Sequence, residues 1–376
     1  MRIRVEGHVT AWEPSSDDPV GHACEPRILR QSTGDILLAH RAGTRRESND
    51  GRPHLLRSAD GGHRWESLGR PLDALGAEGW DLRAAALAEL PSGELLTVVV
   101  ALDKSLDRPT YNPETEGLVP VANHVAVSSD DGRTWRRLVD LAGGPVPQTA
   151  SQGLLVLPNG DVLCTFETFK QYDEPGTWRY LGGLLRSTDA GETWGDCVIS
   201  AASDPDGDPH DTMWWDPRIA RLASGELVQF MYAFRHRSRT EGPVHAAWSR
   251  DDGRTWTLPA STGLPGQASY PVPLEDGRLV LLQQRRGHEQ SIVAHASRDG
   301  GRTFDPGSET VVYRHEATSA PAADGSLSAF DYLMSMDRFT FGHPCGVATG
   351  EDEVLAIWYA GGVTRTAIRS ARLRVH

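Results

Sequence analysis

Cysteine is scarce in this chain, long apolar runs are missing, and basic residues are outnumbered. The four cysteines among its 376 residues are Cys24, Cys164, Cys197 and Cys345, with no Cys-x-x-Cys pair. That spacing excludes an ordinary zinc knuckle and a dense disulfide framework, so the four read as buried thiols. No apolar stretch reaches bilayer-spanning length, and the opening Met1–Pro14 lacks the apolar core of a secretory signal. A cytoplasmic location is therefore the expectation. The formal charge of −13 argues against nucleic acid or an anionic membrane as partners. The histidines show no metal-ligand spacing, so no metal and no cofactor is expected.

What the chain has instead is turn-forming and aromatic residues: 39 Gly, 24 Pro and 11 Trp, which suit many short strands better than long helices. Five times it writes nearly the same octapeptide, Ser-x-Asp-x-Gly-x-Thr-Trp: Ser58–Trp65, Ser128–Trp135, Ser187–Trp194, Ser249–Trp256 and Ser297–Phe304. The shared aspartates Asp60, Asp130, Asp189, Asp251 and Asp299 lie 70, 59, 62 and 48 residues apart. That interval fits one four-stranded propeller blade with variable loops. Ser and Asp side chains bond nearby backbone and Gly permits positive φ, so each copy reads as a hairpin turn.

These octapeptides resemble the Asp-boxes of the sialidase superfamily, and the periodicity around them extends the resemblance over almost the whole chain. A second repeat accompanies them. Glu25-Pro26-Arg27, Asp81-Leu82-Arg83, Gln152-Gly153, Asp216-Pro217-Arg218, Tyr270-Pro271 and His343-Pro344 each open a hairpin of two apolar strands. Six hairpins predict an all-β, six-bladed β-propeller with four-stranded antiparallel blades, forming a single domain over residues 1–376. The sixth hairpin lacks a box. Thr366–Val375 and Arg2–Thr10 are expected to complete that blade, so that N- and C-terminal strands close the ring and remove an open edge.

In such a ring the first strand of each blade lines the axis, and residues two apart share a face. Glu25 with Arg27, Asp81 with Arg83, and Asp216 with Arg218 are then either neutralising pairs or the walls of a polar pocket. In a pocket, Arg27, Arg83 and Arg218 would bind an anionic group. Asp216 and Asp81 would form the leading acid/base pair, with Glu167 and Asp50 as alternates. Glu25, His40, Gln152, His210, Tyr232 and Arg285 are further candidates for substrate contact, as blade-opening, loop or strand-end residues near the same rim. Glu167 as a second carboxylate near Asp216 suits glycoside hydrolysis by paired acids. The segments Asp103–Pro120, Asp204–Met213 and Tyr313–Phe339 interrupt the blade rhythm as functional loops do. In or beside them Trp80, Tyr111, Trp178, Trp214, Trp215 and Tyr332 offer faces for sugar rings.

The resemblance implies more at single positions. Pro26-Arg27-Ile28-Leu29 is similar to the strand whose arginine binds the substrate carboxylate in sialidases. Asp50 stands near the place of the family's acid/base aspartate, and Asp216 at that of its glutamate. The next arginine falls near Tyr232, with Arg235 close by. The third has only Arg285 and Arg286 in its vicinity. The family's tyrosine nucleophile is replaced by His343, for which Tyr270 is a substitute candidate. These readings point first to a glycoside hydrolase acting on an acidic or highly hydroxylated mono- or oligosaccharide. Two alternatives stand beside it: a lyase eliminating across a uronic acid, with His343, His210 or Tyr270 moving the proton, and a non-catalytic carbohydrate-binding propeller.

Overall fold

The computed structural model describes all residues except 18, 107, 146–147, 177–179, 203–211, 236–239, 287–288 and 317–337, and the side chains of 84, 151 and 152. His210, Trp178, Tyr332, the side chain of Gln152 and most of the loops 204–213 and 313–339 therefore lie outside the described residues. Among the described residues there is no α-helix, only two short 3-10 turns at Asp73–Leu75 and Pro306–Ser308. Among these residues no helix is long and apolar enough to cross a membrane. The chain is an all-β propeller.

Each hairpin expected from the sequence is present and extends into an antiparallel sheet whose first strand faces the axis. Those inner strands are His22–Arg30, Trp80–Glu89, Gln148–Val156, Thr212–Arg221, Ser269–Pro273 and Phe341–Gly350. Each touches the next in that order, and the last touches the first. Four of the sheets stand alone. The other is eight-stranded, its two halves joined by a single parallel pair, His22 with Thr366. On one side of the joint, Thr366–Val375 pairs with Glu353–Gly361 and also with the N-terminal strand Ile3–Trp12, from Ile3↔Val375 to Trp12↔Ile368. Both ends of the chain thus complete one sheet.

The repeated octapeptide does two things. Within the turn, Ser128 Oγ donates to Asp130 Oδ1 at 2.8 Å, and the Thr134 amide donates to the same oxygen at 2.8 Å. Gly132 N donates back to Ser128 Oγ at 3.0 Å and Trp135 Nε1 to Gly132 O at 3.0 Å. The Ser–Asp and Ser–Gly bonds recur at Asp60, Asp189, Asp251 and Asp299. Each box glycine, held at positive φ, sits against a side chain of another sheet or, for Gly62, of the other half of the eight-stranded sheet. A Cβ on Gly62 would meet Leu355 at 2.4 Å, on Gly191 Leu96 at 2.8 Å, and on Gly301 Phe230 at 2.5 Å. Gly132 approaches Leu37, and Gly253 approaches Leu163. The first box therefore rests on the strand Glu353–Gly361, across the joint of the eight-stranded sheet, which is where a ring must close. The absence of a side chain lets the sheets approach closely, and the leucines exclude water from the seam.

Candidate active site

Three inner strands share an unusual backbone. Glu25, Asp216 and His343 each precede a proline, yet their φ values are 54°, 53° and 48°. A residue before proline normally takes an extended conformation. Here each adopts the left-handed one, at a cost of about 1–3 kcal/mol. Each stands at a register break, between Cys24 and Arg27, Trp215 and Arg218, and Gly342 and Cys345. A bulge of this kind re-aims one side chain. All three side chains line the same cavity at the axis, of about 120 Å³.

The cavity wall carries three carboxylates (Glu25, Glu167, Asp216), four arginines (Arg27, Arg46, Arg83, Arg286), and His343 with Thr149. Tyr111, Phe169, Trp215, Tyr232 and Phe339 supply aromatic surface. Glu167 and Asp216 meet directly: the Asp216 amide donates to Glu167 Oε2 at 2.7 Å, and Thr149 Oγ1 donates to Oε1 at 3.1 Å. Burial, then the neighbouring Asp216, push the Glu167 carboxyl from its ordinary 4.5 up to about 7. Asp216 keeps a guanidinium beside it, Arg218 Nη2 at 3.2 Å. Burial, then the charge of Arg218, lower Arg27 to about 10, and its Nη1 donates to Pro26 O at 2.9 Å.

The opposite wall is an ion cluster. Arg83 contacts Glu25 at 3.2 Å and Glu47 at 2.5 Å, and Arg46 contacts Glu47 at 2.9 Å. Lys104 Nζ lies 3.0 Å from Glu47. Burial opposes ionisation of Glu47, but Arg83, Lys104 and Arg46 outweigh it and hold its pKa well below the ordinary value. Behind this cluster, Asp81 is fully buried, 2.8 Å from Arg41 Nε, 3.2 Å from Lys104 and 3.4 Å from Arg83. His343 is half-buried; burial, then Arg46, Arg27, Arg286 and Arg218, hold its pKa well below the usual histidine range. Among the described residues its Nδ1 has no hydrogen-bond partner.

The structure brings Glu25, Arg27, Arg83, Glu167, Asp216, Tyr232 and His343 to one cavity, with Arg218 directly behind Asp216. It separates the others. Asp81 stands behind the wall rather than on it. Asp50 accepts the Thr44 amide at 3.1 Å in an exposed loop. His40 is sealed between Trp12 and His54, with His54 Nδ1 at 3.1 Å. Arg285 turns outward to Glu309 at 2.9 Å. Tyr270 lines a second cavity with Ile28, Ile219 and Val272, and burial pushes its hydroxyl up to about 12. Of the two readings of Glu25 with Arg27, neutralising pair or pocket wall, the ion pairs favour the second: among the described residues those of Glu25 run to Arg83 and Arg46. Residues missed in the sequence are Arg46, Glu47 and Thr149, while of the two arginines noted near the third expected position it is Arg286, not Arg285, that lines the cavity. Strand alternation separates the two, since neighbouring positions face opposite ways. Among the described residues, no three His, Cys, Asp or Glu side chains group closely enough to hold a metal ion.

Comparison with known proteins agrees with this architecture. A family model described as a BNR repeat-like domain matches residues 110–308. A sialidase from Micromonospora viridifaciens is 28% identical over 260 residues, which is 61% of this chain and 37% of that protein's length. A protein of unknown function from Dyadobacter fermentans DSM 18053 superposes with a TM-score of 0.71 at 19% identity, covering 100% of this chain and 99% of that one. An alpha-L-arabinanase of Penicillium chrysogenum, complexed with arabinobiose, gives 0.65 at 16% identity, over 99% and 98% of the two chains. At these identities the structural likenesses speak for the fold.

Proposed function

The chain belongs to the BNR repeat-like family of the sialidase superfamily, and from that premise we propose that it is a glycoside hydrolase whose chemistry rests on Glu167 and Asp216. The ring is read as six blades, the eight-stranded sheet counting as two because one residue pair alone joins its halves. The observation that carries the reading is the Glu167–Asp216 contact. A carboxyl pushed up to about 7 still holds its proton near neutrality and can donate it to a glycosidic oxygen. Asp216, beside Arg218, supplies the second carboxylate. It attacks the anomeric carbon while Glu167 protonates the leaving oxygen; water then releases the sugar, with Glu167 now accepting its proton. Glu167 binds Asp216's own amide and feels the charge of its carboxyl; double displacement requires the two carboxyls to stand about 5 Å apart. The tyrosine of ordinary sialidases is not needed in this scheme.

The substrate is read as an acidic sugar. The wall carries four arginines against three carboxyl groups, one of which is pushed up to about 7 and so keeps part of its protons near neutrality. The relative from Micromonospora viridifaciens is a sialidase, which supports the same class. Asp81 is assigned a positioning role, through Arg41 and Lys104. One observation favours a second reading. His343 lines the cavity amid arginines that keep it unprotonated, and such a histidine can take a proton α to a carboxylate, as a uronate lyase requires. Product chemistry decides between them. Sialic- and uronic-acid-capped oligosaccharides incubated with the protein should yield products whose masses sum to substrate plus one water. A product with a new conjugated double bond, seen by its ultraviolet absorbance, would establish the lyase instead.

A further inference from the structure

The left-handed turn at His343 is held from outside its own strand. The His343 amide donates to Gln284 Oε1 at 2.7 Å. Gln284 stands in Leu279–Arg285, the second strand of the preceding sheet. The turn at Asp216 is held in the same way. Its amide donates at 2.7 Å to Glu167 in Val162–Thr168, again the second strand of the sheet before it. Two of the three strained turns are thus fixed by one device, an acceptor reaching across from the neighbouring sheet. At Asp216 the acceptor is a carboxyl; at His343 it is a carboxamide.

Gln284 is the inner end of a buried relay. Like Gln267, it is buried. Gln284 Nε2 donates to Gln267 Oε1 at 3.1 Å, and Gln267 Nε2 donates to the carboxylate of the exposed Glu241. The direction of this chain is set at both ends. A backbone N–H can only donate and an ionised carboxylate can only accept. Each carboxamide between them must therefore turn its oxygen toward His343 and its nitrogen toward Glu241. Arg286, two residues after Gln284 and so on the same face, grips the other side of the turn, with Nη2 donating to Phe341 O at 2.8 Å. Gly342 lies between the two grips. A Cβ there would come within 2.4 Å of both Gln284 Oε1 and Arg286 Nη2, so the strand is clasped with no room for a side chain.

We propose that Gln284 is a positioning residue, which presents the His343 ring to the ligand in the central cavity by holding the His343 amide. The proposal rests on the reading of that cavity as a sugar site. A residue before proline prefers extended backbone, so without its acceptor the turn at His343 relaxes and the ring leaves the wall. Gln284 itself touches no ligand and acts only through His343. A carboxamide suits this place because, unlike the Glu167 carboxyl, it holds the turn without adding a titrating group beside Arg286.

Calorimetric binding of sialyl- and glucuronyl-capped trisaccharides to the Glu167→Gln protein tests this, with Gln284→Met and His343→Ala added singly and together. Each replacement should weaken binding about tenfold, and the pair no more than either alone. A residue needed only for stability would cost the same in both backgrounds. Additive losses, or no loss with Gln284→Met, would overturn the proposal. Hydrogen exchange at the His343 amide gives a second readout that needs no sugar. The amide should be protected in the parent and in Gln284→Glu, which copies the Glu167 arrangement, and exchange about tenfold faster or more in Gln284→Met. Equal protection in all three would overturn the positioning role. Neither sugar binding before Gln284 is changed, with exchange as expected, would keep that role and sink the central-cavity reading instead.

Discussion

Glu167→Gln should lower turnover about 10²–10⁴-fold, the range by which a positioned proton donor accelerates a reaction, while leaving the fold intact. The amide keeps the shape of the carboxyl and one acceptor for the Asp216 N–H, now at 2.7 Å. It cannot deliver a proton. In the parent, activity should fall as pH rises through about 7, where the raised Glu167 carboxyl ionises. Stability should change in a linked way. A carboxyl raised from 4.5 to about 7 in the fold stabilises fully below about 4.5, and that contribution is lost as pH rises through about 7. The Gln variant should therefore melt higher than the parent above neutrality and show no such advantage near pH 4. Melting curves at the two pH values check the sign. Activity restored on glycosides with good leaving groups, which need no proton, would mark Glu167 as the acid.

Asp81→Ala should be the most destabilising single change at the rim, by about 3–5 kcal/mol, because it strands a buried cation. Arg41 is completely buried beside it. Its other donors hold Arg45 O at 2.9 Å and Ser48 O at 2.9 Å, so this one pair pins the loop that presents Arg46 and Glu47. Gly51 closes against both partners, since a Cβ there would lie 2.0 Å from Asp81 Oδ1 and 2.2 Å from Arg41 Nε. Burial opposes the Asp81 charge, but Arg41, Arg83 and Lys104 outweigh it and hold its pKa below the ordinary value. Its contribution is thus present above about pH 4 and fades as pH falls further. A double replacement, Asp81→Leu with Arg41→Met, should recover much of the stability, as apolar substitutes for buried pairs do. It should not recover activity, because the loop loses its anchor. Denaturant melts and kinetics on the same three proteins separate this role from catalysis. A catalytic Asp81 would give an inactive Asp81→Asn protein of unchanged stability.

The scaffold was legible because its signals are local. The serine, aspartate and glycine of each octapeptide bond to one another within eight residues, so the motif carries its own structure wherever it stands. Closure by Ile3–Trp12 followed from the missing sixth box. The site was less legible because its geometry departs from strand alternation. Glu25 and Arg27 were placed on one face, two residues apart. The left-handed turn at Glu25 breaks that alternation, so Glu25 reaches Arg83 across to the next strand. The same device at Asp216 and His343 could be read only as a shared X-Pro motif, not as three strained bulges. Glu47 escaped attention because the loop 44–50 has no period to say which carboxylate turns inward. Tyr270 was placed by its position in a hairpin, but its strand, Ser269–Pro273, is five residues long. Its side chain opens on the other cavity.

The protonated Glu167 carboxyl is the claim on which the proposed chemistry stands, and it can be measured without knowing the substrate. Infrared difference spectra between the parent and Glu167→Gln, recorded across a pH series, isolate the carbonyl band of this one protonated carboxyl. The account predicts a band present at slightly acid pH that vanishes with a midpoint near 7. A band already lost by about pH 5, as for an ordinary glutamate, would contradict it.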